Sequence, residues 1–156
     1  MSIVRRIELK RFADDRGWFM ELMRASGLPK PVRQSNVVRS RKGVIRGLHY
    51  HERGQDDLFV CLEGMVRVVA LDRETGETFT EDIGEDNPVA IYVPGTLAHG
   101  YEALTDCLFL YHVTEEYDVI DGFWGDAGES IEVYYSVIDQ VRKYGANTPA
   151  LHTVAA

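Results

Sequence analysis

Short β-rich runs separated by turn residues constrain the fold of this chain more than any other feature. Glycine, proline, aspartate and asparagine interrupt these runs at intervals of roughly ten residues, the spacing typical of a β-sandwich or barrel. We therefore predict an all-β fold. The predicted strands cover residues 3–9, 32–38, 44–50, 58–62, 65–72, 77–83, 89–93 and 107–113.

The connections between these strands are short. The strongest hairpin signal is the polar segment 72–77, which lies between two β-rich runs. Short helical turns are predicted only at residues 19–25 and 138–144, and a loose tail from Thr148 onward. No repeat or linker divides the chain, so we expect one domain over residues 1–156.

Net charge and the two cysteines limit which ligands and which cellular compartment we expect for this protein. The net charge of −8 disfavours a nucleic-acid groove, so an anionic ligand needs a local basic cluster such as the one between Arg33 and Arg46. Cys61 and Cys107 lie in apolar stretches and are predicted to be buried free thiols. With no signal peptide or membrane span in the sequence, we expect a cytoplasmic protein without membrane or nucleic-acid partners.

The run KGVIRGLHYH, residues 42–51, places an arginine and two histidines on one predicted strand. Its apolar residues suit a buried strand, and alternation should send His49 and His51 to the same side. Two imidazoles close to Arg46 point to a site for an anion, for carbonyl chemistry or for a metal ion.

Four blocks of sequence resemble the dTDP-4-dehydrorhamnose 3,5-epimerase family in the order expected for it. They are FADDRGWFME, QSNVVRSRKGVIRGLHY, VPGTLAHGYEAL and FLYHVTEEY, followed by Trp124. The resemblance implies a cupin jelly roll with short terminal extensions that forms a homodimer. It also implies an enzyme without cofactor or metal that epimerises carbons next to the ketone of nucleotide-linked, dTDP-type 4-keto-6-deoxy sugars in deoxysugar or surface-polysaccharide biosynthesis.

The resemblance also implies roles for particular residues. His49 matches the base that removes a proton next to the ketone, and Tyr111 matches the acid that returns one to the opposite face. The remaining matches are substrate-binding positions. Arg46 and His99 match sugar contacts, whereas Arg16, Glu21, Gln34 and Asn36 match contacts to the nucleotide or its pyrophosphate.

Three departures from the family pattern accompany these matches. Asp57 occupies the position of a lysine that helps to stabilise the enolate, and a nearby ionised carboxylate would oppose that charge. The C-terminal aspartate that orients the base has no acidic counterpart in VRKYGANTP, where Gly145 aligns best. His51 replaces a glutamine. Asp57 is therefore a candidate for orienting His49.

The departures leave three alternatives open. His49, His51, Asp57 and His99 approximate the ligand pattern of metal-binding cupins, which would suit Mn, Fe, Ni or Zn. The RGLHYH strand also resembles that of sugar 3,4-ketoisomerases. Lastly, loss of the lysine and of the orienting aspartate is compatible with a degenerate cupin that binds a sugar nucleotide without turnover.

Overall fold

The computed structural model describes residues 4–51 and 54–116. The predictions for Trp124, for the helical turn at 138–144, for Gly145 and for the tail from Thr148 lie outside the described residues. No helix in the described ranges is long and apolar enough to cross a membrane.

The described ranges are built almost entirely from strands, which confirms the all-β prediction. A single turn of 3₁₀ helix, Ala25–Gly27, lies between β3 and β4. The strands are β1 (Arg5–Glu8), β2 (Arg11–Asp14), β3 (Gly17–Met20), β4 (Gln34–Ser40), β5 (Ile45–His49), β6 (Asp57–Glu63), β7 (Met65–Leu71), β8 (Thr78–Gly84), β9 (Val89–Val93), β10 (Ala98–Ala103) and β11 (Cys107–Val113).

The strands form two antiparallel sheets and a separate hairpin. One sheet has five strands in the order β1-β9-β6-β11-β4, and the other has four in the order β5-β10-β7-β8. Among the described strands, β2 and β3 pair only with each other. The order shows that sequence neighbours often lie in different sheets, as β4 and β5 do, so the chain crosses repeatedly between the two layers.

The apolar residues of the two sheets bury two clusters. The larger cluster fills the space between the sheets, where Val68, Ile91 and Phe109 are almost fully buried. A second cluster covers the outer face of the five-stranded sheet, where Leu58 and Tyr92 pack against the segment that follows β3. Burial on both faces explains why β6 and β9 read as continuous apolar runs.

Most strand predictions match the structure, but the β2–β3 hairpin and β10 were not among them. The helical turn predicted at 19–25 is wrong, because Phe19 pairs with Phe12 in the β2–β3 hairpin and the 3₁₀ turn starts only at Ala25. Strand β10 was not predicted. Its sequence AHGYEA is poor in β-branched residues, and its pairing with both β5 and β7 holds it extended.

An irregularity in the β5–β10 pairing determines which side of the sheet Arg46 and His49 face. His49 pairs with His99, and Arg46 pairs with Tyr101. Arg46 and His49 are three positions apart on β5, whereas their partners are two positions apart on β10, so β5 carries one extra residue. This extra residue on β5 reverses the alternation, and it brings Arg46 and His49 to the same side of the sheet. The alternation read from the sequence alone would have separated them.

Two glycines permit this crossing. A Cβ on Gly100 would lie 2.2 Å from the Arg46 carbonyl oxygen, and one on Gly47 would lie 2.8 Å from the Gly100 Cα. Gly47 also has a φ of +131°, which side-chain-bearing residues rarely adopt. Close approach of the two backbones therefore depends on glycine in both strands.

Candidate active site

A cavity of about 430 Å³ opens between the two sheets, and most of the predicted site residues line it. Those lining the wall are Gln34, Asn36, Arg46, His49, His51, Asp57 and Tyr111. Phe59 and Phe109 form part of the apolar wall. Such a mixture of an apolar wall with a few convergent polar groups is typical of a small-molecule site.

Three histidine rings meet at one end of this cavity. The ring centre of His49 lies 4.7 Å from that of His99 and 5.2 Å from that of His51, and the His51 and His99 centres are also 5.2 Å apart. His49 is half-buried and faces the cavity, whereas His99 has no exposed surface. His99 thus lies behind His49, and its predicted contact with substrate stays a prediction.

Burial keeps the His49 imidazole neutral. Burial is the largest cause that lowers the pKa of His49 to about 3; the neighbouring His99 and His51 act in the same direction, and Asp57 acts against them. A neutral imidazole has a free lone pair at neutral pH, and so it can accept a proton or bind a metal ion.

Tyr111 lies on the other sheet. It pairs across β11 with Asn36 on β4 and with Phe59 on β6. Burial raises the pKa of the Tyr111 phenol, and the charge of Asp57 adds to this effect, while Arg46 acts against it. The phenol therefore keeps its proton at neutral pH and can donate it.

Two amides and a guanidinium supply the other polar contacts. Gln34 Nε2 donates a hydrogen bond to Asn36 Oδ1 at 3.0 Å, which holds two side chains of β4 on the cavity side. Arg46 Nε donates to Ser40 Oγ at 2.9 Å, and that hydroxyl lies 3.0 Å from the hydroxyl of Tyr101. Arg46 is the one lysine or arginine among the described lining residues, so it is the natural partner for an anionic group.

Asp57, at the start of β6, is 2% exposed. Burial alone would raise the pKa of its carboxyl, but the interactions with His51 and His99 outweigh that cost and hold the pKa below its usual range. The carboxylate lies 3.5 Å from His51 Nε2 and 3.4 Å from His99 Nε2. Within the described chain no hydrogen bond joins it to His49, so its influence on the predicted base is electrostatic.

The neighbouring Asp56 anchors the backbone around these groups. It accepts hydrogen bonds from Tyr92 Oη at 2.6 Å and from the Gly95 backbone at 3.0 Å, and Lys30 Nζ lies 3.2 Å away. Gly95 in turn accepts a hydrogen bond from the His51 backbone at 2.8 Å. The network ties the segment bearing His51 to the start of β6.

Two predicted residues lie away from the cavity of this chain. Arg16 is exposed in the β2–β3 turn and pairs with Asp14, and Glu21 is exposed and pairs with Arg24 at 2.9 Å. Their predicted contacts to a nucleotide stay predictions.

Sequence reasoning did not identify Gln55. Its side-chain nitrogen lies 2.9 Å from Asp57 Oδ1 and 3.2 Å from His51 Nε2, which places it between the two. The only signal in the sequence was its position two residues before Asp57.

Comparison with known proteins relates this geometry to a family. Residues 2–123 match the sequence model described as dTDP-4-dehydrorhamnose 3,5-epimerase. The chain is 38% identical over 119 residues to the spore coat polysaccharide biosynthesis protein SpsL of Bacillus subtilis, a match that covers 71% of this chain and 78% of that protein. It is 37% identical over 125 residues to the dTDP-4-dehydrorhamnose 3,5-epimerase of Escherichia coli, with 71% and 68% covered.

Solved structures show the same relationship. The Legionella pneumophila dTDP-6-deoxy-D-glucose-3,5-epimerase, in complex with dTDP-4-keto-L-rhamnose, superposes with a TM-score of 0.68 at 28% identity. The match covers 82% of each chain. This likeness confirms the predicted cupin jelly roll.

Proposed function

Because the chain belongs to the dTDP-4-dehydrorhamnose 3,5-epimerase family, we propose that it inverts a carbon next to the ketone of a nucleotide-linked 4-keto-6-deoxy sugar. One observation carries the proposal. His49 and Tyr111 project into a single cavity from different sheets, His49 from β5 and Tyr111 from β11.

Epimerisation next to a ketone needs a base on one face of the sugar and a proton donor on the other. In the proposed reaction neutral His49 accepts the proton from the carbon beside the ketone, and the electron pair moves onto the ketone oxygen as an enolate. The protonated Tyr111 then returns a proton to the opposite face of that carbon. The enzyme regains its starting state when His49 loses its proton and Tyr111 gains one from solvent.

The substrate is held by the polar groups around this pair. Arg46 is suited to bind a ketone oxygen, an enolate or a phosphate, because its planar guanidinium donates paired hydrogen bonds. Gln34 and Asn36 offer amide contacts from β4. We assign Arg16 and Glu21 to the nucleotide, as the family pattern implies. Since both lie away from this chain's own cavity, that assignment awaits a nucleotide complex.

We also propose a cytoplasmic homodimer. Large apolar side chains are exposed on the β2–β3 hairpin and on the edge strand β4, where Trp18 is 52%, Phe19 is 62% and Val37 is 61% exposed. A second copy of the chain would cover such surfaces. The two cysteines of the chain are free and buried, as expected for a reducing compartment.

Incubation of dTDP-4-keto-6-deoxyglucose with the protein in D₂O tests the proposed reaction. We expect deuterium at the inverted carbon or carbons flanking the ketone, and NMR coupling constants that report inversion. A product in which the ketone has moved to carbon 3 would indicate the ketoisomerase alternative. Substrate recovered without deuterium would contradict turnover altogether.

A further inference from the structure

Two buried imidazoles flank the buried carboxylate of Asp57. His51 Nε2 approaches Oδ1 at 3.5 Å, and His99 Nε2 approaches Oδ2 at 3.4 Å. All three side chains are buried, with exposures of 7%, 2% and 0% for His51, Asp57 and His99. Water therefore contributes little to neutralising the carboxylate.

The proton on His99 is on the wrong nitrogen to satisfy this carboxylate. His99 Nδ1 donates a hydrogen bond to the Leu97 carbonyl oxygen at 2.8 Å, since a carbonyl can only accept. The other nitrogen, Nε2, is buried and has no hydrogen-bond partner in the described chain. In the neutral ring, Nε2 thus directs a lone pair at a carboxylate oxygen, and two lone pairs repel unless a positive charge lies between them.

The same feature recurs at His51. The Gln55 side-chain amide can only donate through its nitrogen, so at 3.2 Å it supplies a proton to His51 Nε2 and leaves that nitrogen as an acceptor. Gln55 also donates to Asp57 Oδ1 at 2.9 Å. Two imidazole nitrogens and one carboxylate thus converge as electron-pair donors, and an ion bound by His51 Nε2 and Asp57 Oδ1 would take the place of the Gln55 amide contacts to both.

We propose that His51, His99 and Asp57 bind a divalent transition-metal ion. Two imidazoles and one carboxylate form a known ligand set for Fe²⁺ and related ions. Two ligand atoms held about 2.1 Å from a tetrahedral ion are about 3.4 Å apart, which is close to the separations observed here. The His99 Nδ1–H bond to a backbone carbonyl is the usual way in which a protein orients a metal-binding imidazole.

His49 lies on the cavity side of this triad. Its potential ligand atom is within 4.8 Å of the other three, yet its half-buried ring faces the cavity. A three-ligand ion would leave room for a substrate oxygen, and His51 and Asp57 both line the cavity in which the sugar is proposed to bind. There the ion would polarise the carbonyl oxygen and stabilise the enolate. Among the described residues that line the cavity, Arg46 is the one lysine or arginine that could share this role. This part of the inference rests on the proposed function.

Metal binding is measured without any sugar, on untagged protein so that no affinity tag supplies histidines. We expect about one equivalent of a divalent transition metal in the purified protein. After chelation and dialysis, Zn²⁺ should bind with one-site calorimetric behaviour. Added Co²⁺ should give the intense d–d absorption of a site with few ligands.

Variants locate the ion. Asp57→Asn, His51→Gln and His99→Gln should each weaken Zn²⁺ binding by at least about tenfold, since even groups that only support a ligand are worth about 10–100-fold. His112→Gln is the matched control, because His112 is a buried histidine that contacts Ser35 at 2.6 Å outside the cluster. It should keep wild-type affinity. If His99→Gln does not fold, Asp57→Asn and His51→Gln still decide the question.

The outcomes separate this inference from the proposed function. Absence of metal from the protein together with no Zn²⁺ binding would overturn the metal site and indicate a proton shared between His99 and Asp57. Equal binding by wild type and Asp57→Asn would overturn it as well. His49→Asn should retain the metal and lose deuterium exchange, whereas loss of metal in His49→Asn would overturn the three-ligand assignment and the role of His49 as a free base.

Discussion

Among single residues, His49 has the central role in the proposed reaction, because it is the proposed base. His49→Asn should lower deuterium exchange into a 4-keto sugar nucleotide by about 10²–10⁴-fold, which is the usual contribution of a positioned base. Tyr111→Phe should lower it less if solvent can deliver the second proton. His112→Asn is the control, since His112 lies outside the cavity, and it should exchange at the wild-type rate. Wild-type exchange in His49→Asn would remove His49 from the mechanism.

The two thiols offer a second test at the residue scale. Burial raises the pKa of Cys61 to about 12, with neighbouring Cys107 and Glu85 adding to the effect, and Cys61 Sγ lies 3.2 Å from the Glu63 carbonyl. Only the thiolate reacts with alkylating reagents. Labelling of Cys61 by iodoacetamide at pH 8 should therefore be about 10³-fold slower in the folded protein than in guanidinium. Equal rates in the two conditions, followed by mass spectrometry, would contradict this burial.

At the scale of secondary-structure elements, the crossing of β5 and β10 should be sensitive to one methyl group. Gly100→Ala would place a Cβ 2.2 Å from the Arg46 carbonyl oxygen, so the strands must separate. We expect a loss of about 1–3 kcal/mol in the free energy of unfolding, measured in urea. Gly27→Ala is the matched control, because its Cβ would meet nothing within 4 Å. Equal stability of the two variants would show that the crossing tolerates side chains.

The same crossing shows where sequence reasoning reached its limit. Strand β11 could be predicted to the residue because CLFLYHV is a β-rich run with clear boundaries. The shared face of Arg46 and His49 could not, because it depends on an extra residue whose presence is visible only in the pairing with β10. The grouping of Asp57 with His51 and His99 was expected in one alternative, from the ligand pattern of metal-binding cupins. The sequence could not show that the carboxylate lies against these two rings and makes no hydrogen bond to His49 in the described chain.

At the scale of the whole molecule, the exposed apolar surfaces predict self-association. Light scattering should give a mass about twice the 17.7 kDa of one chain. Trp18→Ser should shift the protein toward monomer if the β2–β3 hairpin forms the contact. Val37→Ser provides the comparison for the edge strand β4, since its side chain is similarly exposed. A monomer mass for the wild type at micromolar concentration would contradict the proposed homodimer.

The distance between the side chains of the proposed base and acid depends on the thickness of the sandwich. His49 and Tyr111 belong to different sheets, and a ring stack spans the gap between those sheets beside them, with Tyr101 on β10 and Phe109 on β11 at 4.0 Å between ring centres. Both rings line the cavity, and their size limits its width. We therefore expect substitutions of these two rings to change which sugars fit between the proposed base and acid, while both of those residues stay unchanged.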